Sequence, residues 1–399
     1  MMISIDDQLA LLLRGVAQCE TAGDLRKKLE KSIKTGQPLR VKYGIDPTGF
    51  DVHLGHTVPL RKLKQFQELG HTAVLIIGKA TALVGDPSGR DDSRKGLDAT
   101  QIEKNATSYL EQIAKVVDVS KAEIRPNDEW FGRWGFAEML KLLGRTTVQR
   151  LLERDDFSKR FRAEPSVPIY LHECLYPLMQ GWDSVEIHAD VELGGTEQLF
   201  NLMVGRDLQR EQGQEPQVCL TMPILRGTDG VKKMGKTAGN YVGLNEPAKE
   251  QFGKSMRIAD EQMREWFELL TDFAQPRIEE LLAGHPNDAK KLLAGEVVRQ
   301  YHGAVEAERV LADWQRQFAA GGDPDDMPTF AISGDEVNVL DLVIAAGFCK
   351  SKSEARKKVE EGAVNFGPDR TKPADFKAMI PVRDGLVIRL GRKVAKIKM

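Results

Sequence analysis

Apolar and polar residues alternate along Leu39-Arg-Val-Lys-Tyr-Gly-Ile45, the period of a strand, and Asp46-Pro-Thr-Gly49 breaks the pattern. The spacing then lengthens. Leu60, Leu63, Phe66 and Leu69 recur every three positions, which predicts an amphipathic helix stopped by Gly70. Pro59 falls early in that helix, so it either begins late or kinks there. Ala73-Val-Leu-Ile-Ile-Gly78 is apolar throughout, as expected of a parallel strand covered on both faces. The three pieces form a βαβ unit.

Thr100-Gln-Ile-Glu103 has capping-box spacing and opens a helix that offers Ile102, Leu110, Ile113 and Val117 to a core. Val185, Ile187, Ala189 and Val191 alternate with Glu186, His188 and Asp190, which predicts another strand, and Gly194-Gly195 then turns the chain into a helix. Gln217-Val-Cys-Leu-Thr-Met222 predicts one more. The sum is α/β: a doubly wound, Rossmann-like parallel sheet in residues 1–246, interrupted by helices near 130–180.

Residues 247–320 read as an α-helical domain and 321–334 as a linker, on the strength of Gly321-Gly-Asp-Pro-Asp-Asp-Met-Pro328. A small α+β domain fills 335–399. There Val339 to Gly347 predicts a short helix, Ser351-Lys-Ser-Glu354 a second capping box, Ala355 to Glu361 another helix, and Ala363 to Phe366 a passage into strands.

Composition narrows the class. With 41% hydrophobic and 29% charged residues the chain can fill real cores, and no spanning apolar stretch or secretory start is present, so a cytosolic protein without a membrane partner is expected. Cys19, Cys174, Cys219 and Cys349 are too scattered for a disulfide framework or a thiol-ligated structural metal. Charge is uneven: residues 350–399 hold 14 Lys and Arg against 6 Asp and Glu, on a chain whose totals are 57 and 59. A basic end on an acidic body suits a polyanion, although a charge run alone is more often a solvated surface.

Two segments carry chemistry. His53-Leu-Gly-His56 places two imidazoles on one face of a helix start, where free backbone N–H groups and the positive dipole end attract phosphate. Such a pair can equally be surface or metal histidines, but no third ligand stands at a useful spacing for zinc. Lys232-Lys233-Met-Gly-Lys236-Thr237 forms a lysine-bearing loop that can close over a polyphosphate, or simply be solvated.

Together these segments resemble the two signature motifs of class I aminoacyl-tRNA synthetases, His53-Leu-Gly-His56 and Lys233-Met-Gly-Lys236-Thr237. Tyr176-Pro-Leu-Met-Gln180-Gly-Trp-Asp183, a stripe at i, i+4 and i+7 of a helix, resembles the pattern of the bacterial tyrosyl-tRNA synthetases. That resemblance implies that Tyr176, Gln180, Thr81 and Asp86 hold the ammonium end of tyrosine, that Gln198 lies near its carboxylate, and that Asp183 meets its phenol. Asp46, Gly55, Gly195, Glu197 and Met234 would line the ATP site, Glu197 at the ribose. Thr48, His53, His56, Lys233, Lys236, Thr237, Arg90 and Arg94 would face the phosphates.

Three departures stand out. Lys42 occupies a position where many relatives carry a tyrosine that shares the phenol contact, so help from Lys42 or Tyr43 stays open; Glu197 replaces an aspartate, and Gly235 a serine. The basic end resembles the alpha-L RNA-binding module of ribosomal proteins, with Lys350, Lys352, Arg356 and Lys357 toward the RNA backbone. The resemblance further implies Mg2+ with ATP, no organic cofactor, tRNA(Tyr) as partner and a homodimer through the 130–180 helices. The rivals are a tryptophanyl-tRNA synthetase and a non-catalytic RNA-binding protein on the same fold.

Overall fold

In the computed structural model the chain is described over residues 3–48, 51–87, 98–318, 327–332, 334–391 and 393–398. Strands β1 (Gln18–Glu20), β2 (Arg40–Ile45), β3 (Thr72–Ile77), β4 (Glu123–Pro126), β5 (Val191–Gly195) and β6 (Val218–Met222) form one sheet in the order β1-β6-β5-β2-β3-β4. The neighbours from β6 to β4 pair in parallel; only β1 is antiparallel. From β2 the chain steps outward to β3 and β4, then returns to β5 and β6 on the other side. The winding therefore reverses between β2 and β5, and a crevice opens beyond their carboxyl ends, where open α/β sheets bind ligands.

The doubly wound sheet agrees with the sequence pattern, with four differences. The strand expected from Val185 begins only at Val191, because Tyr176–Glu186 is a helix and Val185 belongs to its last turn. Alternation there reports a helix end followed by a turn, in which His188 takes a φ of 50°. The helix Ala99–Ile113 is capped by Asp98, whose carboxylate accepts from Gln101 N–H at 2.9 Å, and not by Thr100. The helix after His53 neither starts late nor stops short: it runs Leu54–Glu68 with Pro59 inside, so the Gly55 carbonyl lacks its usual donor. Strand β1 was not foreseen at all.

The core explains why these elements assemble. Val41, Leu63, Phe66, Leu75, Val191, Leu220 and, from the later helices, Trp266, Phe267 and Leu293 share one buried cluster. The helices of 248–302 thus pack into the same body as the sheet, and the chain divides into compact units Met1–Ala307 and Glu308–Met399. Phe66 is fully buried in the cluster. Phe66→Ala is expected to cost about 3–5 kcal/mol, the range for an emptied aromatic site, measured by urea unfolding.

The second unit has its own core of Val339, Leu342, Val343, Ala355, Val364, Ile388 and Ile397. Helices Val339–Ala345 and Lys352–Glu360 accompany a four-stranded and a two-stranded sheet. Ser351 caps the second helix by accepting from Glu354 N–H at 3.2 Å, while the Glu354 carboxylate reaches back to Lys350 N–H at 2.8 Å.

Candidate active site

At the crevice the helix Leu54–Glu68 begins with His53 as its N-cap residue. His53 N–H donates to His56 Nδ1 at 3.2 Å, and the two rings stack with centroids 3.8 Å apart. Gly55 permits this: a Cβ there would sit 3.1 Å from the His53 ring. Burial, then His56 and the charges of Lys233 and Lys236, pushes His53 down to about 2. Burial and the same lysines push His56 down to about 4. Both imidazoles are therefore neutral at pH 7 and could meet a phosphate only as hydrogen-bonding groups, not as cations.

The lysine loop reaches them through main chain. Leu54 N–H donates to Val242 carbonyl and Leu244 N–H to Val52 carbonyl, each at 2.9 Å, so 52–54 and 242–244 are clasped like two short strands. The loop just before Val242 is held by Asn240, whose Oδ1 accepts from Gly235 N–H at 2.9 Å and whose Nδ2 donates to Asp229 and to the Lys232 and Lys233 carbonyls. Met234 is buried, which anchors the loop, while Lys233, Lys236 and Thr237 are exposed. Lys233 pairs with Glu197 at 2.7 Å, and Lys236 pairs with Asp51.

Beyond β5, Gly195 carries the Glu197 carboxylate directly over its backbone; a Cβ there would be 2.2 Å from Glu197 Oε2. That oxygen is buried and has no hydrogen-bond donor. An unmet buried acceptor next to a lysine loop suits a ligand hydroxyl, as a ribose would supply. Gln198 folds back to accept from Gly195 N–H at 3.2 Å and donates to Asp86 at 3.3 Å.

A second group of residues lies deeper. Thr81 Oγ1 and the Tyr176 hydroxyl both donate to Asp46, each at 2.8 Å. Thr48 follows in the same turn, half-buried, its N–H donating to the Asp46 carbonyl. Asp183 is nearly sealed from solvent; its carboxylate accepts from Trp130 Nε1 at 3.0 Å and Asn127 Nδ2 at 3.4 Å. Burial pushes Asp183 up to about 7, opposed first by the charge of Lys42. Asn127 also donates to Thr81 at 3.2 Å, tying the two ends of the pocket together. Sequence reading missed Asn127, Trp130 and Asn240. The first two follow β4 directly, and the end of a parallel strand was the available signal.

Lys42 lies beneath this pocket. Its ammonium donates to the Gln180 carbonyl at 2.6 Å and Ser184 Oγ at 2.8 Å and pairs with Glu192 at 2.8 Å. An ammonium has three protons, so none is left for a phenol. Tyr43, next along β2, belongs to the opposite face and packs on the main core. Arg90 and Arg94 lie outside the described residues. In the second unit Lys350, Lys352, Arg356 and Lys357 are all exposed around one helix; Lys352 pairs with Asp341, and Arg356 covers the Phe376 ring at 4.0 Å while pairing with Glu360.

Comparison with known proteins follows this division. The family model described as tRNA synthetases class I (W and Y) matches residues 34–319, and one described as the tyrosine–tRNA ligase SYY-like C-terminal domain matches 319–393. The tyrosine–tRNA ligase of Symbiobacterium thermophilum is 47% identical over 98% of this chain and 97% of its own; that of Moorella thermoacetica is 48% identical over 98% and 95%. Among solved structures, the C-terminally truncated mitochondrial tyrosyl-tRNA synthetase of Aspergillus nidulans superposes with a TM-score of 0.64 at 22% identity, covering 79% of this chain and 94% of its own. The Archaeoglobus fulgidus tyrosyl-tRNA synthetase complexed with L-tyrosine superposes at 0.62 and 23%, covering 77% and 100%. At these identities the two structures speak for the fold.

Proposed function

We infer that this chain, which belongs to the tyrosine–tRNA ligase family of class I tRNA synthetases, activates tyrosine with ATP and transfers it to tRNA(Tyr). The observation that carries the reading is the main-chain clasp between the His53 and Val242 segments, which sets the histidines and the lysine loop around one space. In the first step a tyrosine carboxylate oxygen attacks the α-phosphorus of ATP; the new O–P bond forms as the bond to pyrophosphate breaks. No protein nucleophile takes part. The work is placement, plus positive charge where negative charge spreads. His53, His56 and Thr48 would face the phosphates from one side, and Lys233, Lys236 and Thr237 from the other; Arg90 and Arg94 belong to the same proposal by resemblance alone.

Gly195 and Glu197 would hold the ribose, with Gly55 and Met234 backing the nucleotide. Tyr176, Thr81, Asp86 and Gln180 would hold the ammonium group, Gln198 the carboxylate end, and Asp183 the phenol. Asp46 supports that set by orienting Thr81 and Tyr176. Mg2+ enters with ATP, held by the phosphates; among the described residues there is no group of three His, Cys, Asp or Glu side chains that could hold a metal. In the second step a ribose hydroxyl of the terminal tRNA adenosine attacks the acyl carbonyl and AMP leaves.

The test is tyrosine-dependent exchange of labelled pyrophosphate into ATP. Exchange with tryptophan instead, or none, overturns the reading. The basic module of 335–399 would hold tRNA through Lys350, Lys352, Arg356 and Lys357, contacts that position RNA more than they read it. Ending the chain after Met327 is therefore expected to leave exchange within about twofold and to lower tRNA charging at least about tenfold. Charging at the full rate would remove the module from the reaction.

A homodimer would be formed through the elements between 130 and 180, where Phe136 is 79%, Val148 68% and Leu171 87% exposed. Sedimentation measures this directly. No helix among the described residues is long and apolar enough to cross a membrane, and we place the reaction in the cytosol, where its substrates are.

A further inference from the structure

Lys42 and Glu192 face each other across the parallel strands β2 and β5 as register partners, and both are essentially without solvent contact. An ion pair placed between two sheet strands is costly, since each charge gives up its hydration, and only full hydrogen bonding offsets that loss. Here it is full. The Lys42 ammonium spends its three protons on Glu192, the Gln180 carbonyl and Ser184 Oγ. The Glu192 carboxylate, besides Lys42, accepts from Gln180 Nε2 at 3.1 Å, Ser184 Oγ at 3.0 Å and Gln217 Nε2 at 2.5 Å.

The partners share one feature. Gln180 and Ser184 lie on the same helical turn, and that turn carries Asp183. The pair grips it from below at a carbonyl, a hydroxyl and an amide. Gln180 is in turn fixed from the far side by Asn201 Nδ2, which donates to its Oε1 at 2.8 Å. A hydrophobic pair of similar volume would pack between the strands, but it could not fix the rotation of this turn.

We propose that the buried Lys42–Glu192 pair determines amino-acid specificity without touching the substrate, by fixing the turn that presents Gln180 and Asp183 to tyrosine. The proposal rests on the reading of Asp183 as the phenol acceptor. Lys42 is thus a positioning residue, in place of the direct phenol contact that its position suggests by resemblance. Its charge has a second effect. The groups facing Asp183 are Lys42 from β2, Glu192 from β5, Asn127 and Trp130 from the segment after β4, and Tyr176 from its own helix; Lys42 is the one cation among them. It favours the ionised carboxylate against burial, and an ionised carboxylate is the stronger acceptor for a phenol.

The experiment compares the full-length wild type, Lys42→Met with Glu192→Gln, and Asp183→Asn. Lys42→Met alone would strand a buried carboxylate and risk misfolding, which the double variant avoids; thermal unfolding checks that it folds. Pyrophosphate exchange is followed with tyrosine and phenylalanine from pH 6 to 8.5. For the double variant kcat/KM for tyrosine over phenylalanine should fall at least about tenfold, with KM for ATP within about twofold, and the acid limb of the tyrosine profile should move to higher pH. A folded double variant with the wild-type ratio and profile overturns the proposal. So does an equal loss for both amino acids and ATP, which signals general loosening. If Asp183→Asn also keeps the wild-type ratio, the pocket assignment itself fails; if only the double variant does, the support role alone is lost.

Discussion

Alanine in place of Lys233 or Lys236 is expected to slow formation of the tyrosyl adenylate by about 10²–10³-fold, the usual loss when one preorganised charge on a transition state is removed. Tyrosine affinity should stay within about twofold, because neither lysine is among the proposed tyrosine contacts. In the free protein both lysines are engaged, Lys233 with Glu197 and Lys236 with Asp51, but their side chains are 57% and 43% exposed. Ion pairs at such exposure contribute about 0–1 kcal/mol, little beside the attraction of a triphosphate. On the proposed assignment the pairs would be a resting position for the loop, from which ATP would draw the lysines. Single-turnover burst kinetics with tyrosine titrations separates the two quantities. An equal loss in rate and affinity would remove the transition-state role.

Asp183 carries the second large effect. Its carboxyl titrates near 7 because burial outweighs Lys42, Trp130 and Asn127. The charged form is the one that accepts strongly from a phenol, so kcat/KM for tyrosine should fall as pH drops below about 7, while that for phenylalanine stays flat. The stability sign is opposite: with its pKa raised above the unfolded value, neutral Asp183 favours the fold at low pH, and that contribution is lost as pH rises through 7. With Asp183 as the proposed phenol acceptor, tyrosine recognition would come at a cost in stability. In Asp183→Asn the pH limb should vanish and the tyrosine preference drop by about 10- to 100-fold, from losing a hydrogen bond to a charged group. A pH limb that survives in this variant assigns it to another residue.

The sequence made the signatures legible because their chemistry is local. His53, Gly55 and His56 lie within one helical turn, and Tyr176, Gln180 and Asp183 on one face, so spacing alone predicts their company. The sheet was readable for the same reason wherever strands are continuous apolar runs, as in β3 and β6. What stayed hidden depends on distant partners. Asn127 and Trp130 gain meaning only because β4 ends beside the 176–186 helix, and Asn240 only because its amide meets four loop groups at once. The role of Lys42 stayed open in the sequence because its partner across the sheet, Glu192, lies on a distant strand. The Val185 misreading has a local cause. Three apolar residues at a helix end and its turn mimic period two, and only the backbone reversal at His188 separates them.

The clasp between 52–54 and 242–244 is made of peptide groups alone, whereas the residues proposed to face the amino acid come largely from the ends of β2 and β4 and from the 176–186 helix. On the proposed assignment the lysine loop that would face the phosphates and the helix that would hold the phenol are thus separate elements, although the turn after β2 and the segment after β5 serve both. An engineer could repaint the walls that enclose the aromatic ring, to admit a halogenated or azide-bearing analogue, while the machinery that splits ATP keeps its alignment.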